Sequence, residues 1–148
     1  MGAVTYGDLC KAIATALKNA GVGKRVEAYD EISESIPEQR TLHVYFNDGD
    51  VTSGSDNDRK TFQASKRTTA ITAVIDGYAR RRSSLHDDLK AQMELIDEID
   101  TYLCSQTALP LLGHADIKSF HWRWERSLFP YAKEDWAGCR FELEIWVY

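Results

Sequence analysis

Four histidines are the first residues to question, because imidazole titrates near neutrality and ligates metals. They are His43, His86, His114 and His121, scattered along the chain. His86-Asp87-Asp88 and His114-Ala115-Asp116 bring nitrogen and oxygen ligands close together. Neither has the paired-histidine spacing of a zinc protease, nor two histidines with a carboxylate. Nucleophiles fare no better. No G-x-S-x-G elbow occurs, and Ser53-Gly54-Ser55 falls in a polar stretch between expected strands, away from any helix N-terminus that would cradle phosphate. The carboxylates Glu142 and Glu144 alternate outward on an expected strand and find partners on its neighbour. Cys10, Cys104 and Cys139 are odd in number, widely spaced and without a CxxC, so reduced, buried thiols are expected. We therefore expect no enzyme: no catalytic, metal-ligating or cofactor-binding residues, and no small-molecule substrate.

Charge offers other chemistry. Eighteen basic against 23 acidic side chains give a formal net charge of −5, which disfavours a dedicated duplex-DNA binder. Basic clusters nevertheless stand at Arg59-Lys60, Lys66-Arg67 and Arg80-Arg81-Arg82, with Phe62 and Tyr78 nearby. Two readings beyond solvated strand ends are open. The clusters could hold a nucleic-acid backbone while aromatics stack on bases. They could instead meet the acidic stretch carrying Asp48, Asp50, Asp56 and Asp58 on a second copy, giving head-to-tail association that closes into a ring. Trp146 and Tyr148, alternating outward on the last strand, are candidates for an interface or for internal cover.

These residues need elements to position them. The length of 148 residues suits one domain with an ordinary apolar core. No signal peptide is evident, and no stretch approaches the roughly 18 apolar residues of a membrane span, so a soluble intracellular protein with no membrane partner is expected. Thr5 with Asp8 reads as a helix N-cap, followed by Leu9, Ile13, Ala16, Leu17 and Ala20 at helical spacing, with Gly21 and Gly23 as the exit. Val26–Tyr29 reads as a short edge strand. Thr41–Asn47 alternates with Leu42, Val44 and Phe46 inward, and DGDVTSGSDNDRK follows as a polar loop. Thr68–Tyr78 is a strand whose mildly polar second face suits a sheet covered on one side. A long helix begins at Ser83 or Ser84, with Asp87 and Asp88 in its first turn and a stripe of Leu85, Leu89, Met93, Ile96, Ile99, Tyr102 and Leu103.

Ser119–Arg126 and Cys139–Tyr148 both alternate, and a single antiparallel register satisfies both faces. It sets Trp124, Trp122 and Phe120 inward, opposite Phe141, Leu143 and Ile145. Outward it pairs Glu125 with Arg140, Arg123 with Glu142 and His121 with Glu144, across a loop Ser127–Gly138. The expected fold is α+β: an antiparallel sheet with an N-terminal helix and one long helix on one face, closed by a C-terminal β-hairpin, in one domain over 1–148.

The helix YGDLCKAIATAL, the strand TLHVYF, the run AITAVIDGYARRRSSLHDDLKAQMELIDEID and the terminal FELEIWVY, in that order, resemble the tail terminator (tail completion) proteins of siphovirus-type bacteriophages. The resemblance spans most of the chain as an arrangement of elements. It implies a structural protein of the virion tail and neck, made in the host cytoplasm. It also implies a ring of copies, usually a hexamer, that binds the end of the tail tube, halts polymerisation and faces the head–neck connector. The partners implied are the chain itself, the tail tube protein and the connector protein, with no cofactor. A neck or head-closure protein of the same virion is the alternative within that class.

Overall fold

The computed structural model describes residues 5–32, 39–52, 68–108, 110–131 and 134–147. Helix α1 (Tyr6–Asn19) starts where the Thr5 hydroxyl accepts the Asp8 amide at 3.1 Å, the expected cap. It buries Leu9, Ile13 and Leu17 and ends before Gly21, whose φ of +74° a side chain would strain. Strands β1 (Arg25–Ala28), β2 (Thr41–Thr52) and β3 (Thr68–Arg81) follow, then α2 (Leu85–Cys104), β4 (Ile117–Tyr131) and β5 (Glu134–Val147).

All five strands form one sheet in the order β1-β2-β3-β5-β4. The fold is α+β, as expected, but the sheet is mixed. β1 lies parallel to β2, with Val26 beside Leu42, while every other pair is antiparallel. A parallel neighbour needs a crossover long enough to return the chain to the same end, and residues 29–40 supply it.

One face of the sheet carries both helices, α1 over β1 and β2 and α2 over β3 and β5. Leu42, Val44, Ile71, Ala73, Ile75, Phe141, Leu143 and Ile145 line that face, with Ile13, Leu17, Leu95, Ile96 and Ile99 above them. Each such large side chain contributes roughly 1.5–3 kcal/mol by leaving water. α2 presents Asp88 and Gln92 as well as Leu95, Ile96, Ile99 and Leu103, whereas Leu85 and Met93 are exposed. The expected stripe is thus right in the second half of α2 and off by one helix position in the first. Gln92 Nε2 explains the difference by donating to the carbonyls of Ser127 and Gly138 at 3.1 and 2.9 Å, which ties α2 to two strands at once.

The C-terminal register is the expected one, pair by pair from Phe120–Ile145 to Arg126–Cys139. Pairing continues beyond it, to Tyr131–Glu134, so 127–131 and 134–138 are strand where a loop was expected. β2 likewise runs on through Asp48, Gly49 and Asp50 to Thr52, in place of a loop starting at Asp48. A bulge at Asn47, between Phe46 and Asp48, lets the polar stretch keep pairing while the alternation shifts.

The second sheet face is not the bare polar surface its composition suggested. Thr41, His43, Val74, Asp76 and Glu27 are buried there. Among the thiols, Cys10 and Cys139 are buried as expected, but Cys104 at the end of α2 is exposed; all three are free.

Candidate assembly interface

The residues singled out from sequence fall into three places. Asp48 and Asp50 lie exposed on the far half of β2, paired across β3 with Thr72 and Ala70. Arg80, Arg81 and Arg82 lie at the opposite end of β3, running into α2. Ten residues of strand, about 33 Å, separate Ala70 from Arg80. Trp146 is half-buried on β5 between Ala70 and Ser119, flanked on both sides by strands. Asp56, Asp58, Arg59, Lys60, Lys66, Arg67 and Tyr148, with Phe62 beside the basic clusters, lie outside the described residues.

The arginine run is engaged within the chain. Asp88, buried in the first turn of α2, faces Arg80 Nε at 3.7 Å and Arg82 Nε at 3.5 Å and accepts the Ser83 amide at 3.2 Å. Arg80 also donates to the Ser83 hydroxyl at 2.8 Å, and Arg81 pairs with Glu134 at 3.2 Å. The carboxylate complements the partial positive charge of the helix start and neutralises the strand end feeding it. Asp87 is held below the usual carboxylate range by a hydrogen bond from the Ser84 hydroxyl.

The four histidines do not converge. His86 is exposed beside Asp87, His121 faces Glu144 at 3.6 Å, and His114 Nδ1 accepts the Asp116 amide at 3.1 Å. His43 is buried, with Nε2 at 3.1 Å from Glu27. Burial pushes its pKa down, against the opposing pull of Glu27. No cluster of metal-ligating side chains occurs among the described residues.

Next to His43 lies a network that alternation did not reveal. Asp76 accepts from Arg140 Nε at 2.7 Å and Nη2 at 3.1 Å, and from the Tyr45 hydroxyl at 2.7 Å. Arg140 thus turns from its expected cross-strand partner Glu125 toward β3, and its guanidinium also sits 5.5 Å from the Phe129 ring. Burial, reinforced by Asp76, pushes the Tyr45 phenol up to about 12. Three strands are locked by these contacts, and the groups are already satisfied by one another.

What is left open is the rim of the sheet. β4 ends the strand order, so among the described residues one backbone edge of this 15-residue strand has no strand neighbour. Lys118, at a bulge, and Pro130, which has no N–H, blunt its two ends. Trp122 on the helical face of β4 donates its indole N–H to Asp100 of α2 at 2.8 Å, but Trp124, on the same face, is 42% exposed although its register is the expected one. Leu128 is exposed too, beside Leu85 of α2 in a shallow groove. On the other rim, β1 covers β2 only from Thr41 to Val44. Where β1 stops, a shallow cavity of about 190 Å³ opens, lined by Tyr6, Gly7, Cys10, Tyr29, Tyr45 and Phe46.

No helix among the described residues is long and apolar enough to cross a membrane. Comparison with protein-family models finds no match to this chain, and comparison with curated proteins finds none either.

Proposed function

We propose that this chain is a structural assembly protein that acts as a homo-oligomeric ring. In this reading the ring caps the tail tube of a long-tailed bacteriophage, stops tube polymerisation and forms the tail side of the head–tail joint. The observation that carries it is the β4 edge, unpaired among the described residues and flanked by exposed Trp124 and Leu128, where the described buried polar side chains are already partnered. An open edge with large apolar side chains beside it favours chain-to-chain contact over turnover of a small molecule. A ring that matches a growing tube on one face and differs on the other ends growth without chemistry, and so needs no cofactor. The partners follow: further copies of the chain, the tail tube protein and a head–neck connector.

The nucleic-acid reading draws less support, since Arg80, Arg81 and Arg82 are committed to Asp88, Ser83 and Glu134. The test is to add the purified chain to polymerising tail tube subunits and measure tube length. Growth should stop, with the chain bound at one tube end. Tubes that keep lengthening at saturating chain overturn the proposal.

A further inference from the structure

The two rims of the sheet differ in charge as well as position. β4 carries Lys118, Arg123 and Arg126 against a single carboxylate, Glu125. The half of β2 that β1 does not cover among the described residues carries Asp48 and Asp50 and no cation. Among the described residues neither aspartate takes part in an ion pair, and Arg126, opposite Cys139 on the helical face, has none either, while Arg123 is shared by Glu142 and Glu125 at 3.5 and 3.7 Å. The faces agree too. Asp48 and Asp50 lie opposite Thr72 and Ala70, on the face away from the helices; Arg123, opposite Glu142, lies on that same face. Phe46 and Trp124 both lie on the helical face, opposite Ala73 and Phe141.

Strand direction agrees as well. β2 and β5 run one way and β3 and β4 the other, so β4 of one copy set against β2 of a copy in the same orientation pairs antiparallel, the more stable arrangement. We propose that the β4 edge of one copy pairs with the Tyr45–Thr52 edge of β2 in the next, continuing the sheet from copy to copy. Trp124 then lies beside Phe46 at the mouth of the Tyr6–Tyr29 cavity, and Arg123 beside the Asp48–Asp50 rim. The contact is heterologous, using two different patches, and leaves each copy with one donor and one acceptor edge; rotation closes such a chain into a ring. A two-fold β4–β4 contact would place two net-positive rims together and leave both β2 edges unused.

This inference rests on the assembly reading above but can fail while that reading stands. The experiment uses the full chain with Cys104→Ser, since Cys10 and Cys139 are buried. Asp48→Cys and Arg123→Cys are introduced in separate chains, mixed at high concentration and oxidised with copper–phenanthroline. The expected result is a disulfide in the mixture well above either chain alone, and a closed ladder of oligomers when both substitutions are in one chain. With the native thiols kept, reversing Asp48 and Asp50 to Lys should weaken self-association about tenfold, since two lysines then face Arg123 across the edge. Disulfide-linked dimers from Arg123→Cys alone would establish the two-fold contact instead. An oligomer of the unaltered chain that gives no 48–123 disulfide overturns the edge pairing and leaves a ring built another way. Absence of association at every concentration, in light scattering, also overturns this pairing, while tube capping is decided by the length assay.

Discussion

Replacing Asp76 by Asn tests the buried network that ties β2, β3 and β5. Asp76 is 4% exposed and takes three hydrogen bonds, two from Arg140 and one from Tyr45. Asn fits the same space but removes the charge and turns one acceptor into a donor aimed at another donor. Breaking a fully buried ion pair costs roughly 3–5 kcal/mol. The Arg140 side chain is 36% exposed and recovers part of its hydration. We therefore expect a loss of about 2–3 kcal/mol in urea unfolding. For a chain of this size that is a fall in Tm of roughly 5–10 °C. Arg140→Gln should cost more than Asp76→Asn, because it leaves a buried carboxylate with only the Tyr45 hydroxyl to offset its charge, whereas Arg140 left alone rehydrates. The two changes together should cost clearly less than their sum, by about 1–3 kcal/mol. Additive losses, or an Asp76→Asn variant as stable as the parent, would refute the reasoning that Asp76 and Arg140 act as one buried unit.

Three other outcomes follow from the same geometry. His43 is buried with its pKa below the usual value, so the unfolded chain binds the proton first as pH falls. Its effect is absent above pH about 6.5 and erodes stability from there down to the folded-state pKa, with Glu27, Asp76 and Tyr78 as the facing groups; His43→Gln should flatten that part of a pH–stability curve. Gly138→Ala would drive a Cβ into the Gly77 carbonyl and set it 3.0 Å from the Phe129 ring, so the β3–β5 pairing must shift, with a loss of about 1–3 kcal/mol in urea unfolding. A thiol reagent should modify Cys104 rapidly in the native chain and Cys10 and Cys139 only on unfolding, their pKa values being raised by burial, that of Cys139 to about 12.

Much of the fold was legible because strand alternation and charge pairing constrain each other. The β4–β5 register followed from two six-residue patterns, since a slip by one would have exposed the tryptophans and buried Arg123 and Glu142. What escaped was the strand order, which decides which neighbours a side chain meets. Nothing along β2 says that His43 and Tyr45 meet Glu27 and Asp76, or that Arg140 reaches across to β3 instead of pairing with Glu125. The first half of α2 escaped for a related reason: Gln92 is buried to serve carbonyls of β4 and β5 that lie 35 and 46 residues away. The parallel placement of β1 depends on the path of its crossover, which side-chain period does not encode.

The candidate site was half legible. Asp48 and Asp50 were picked out by charge, but the basic surface sequence set against them, at Arg80 to Arg82, is engaged by Asp88 and Glu134. The exposure of Trp124, beside a Trp122 that α2 holds through Asp100, is a fact of packing between elements.

The most direct measurement is the distribution of tail lengths, by electron microscopy, in particles made without this chain and with it restored. The account predicts tails of irregular, overgrown length without heads attached, returning to one uniform length on restoration. Tails of normal, uniform length joined to heads in its absence would contradict it.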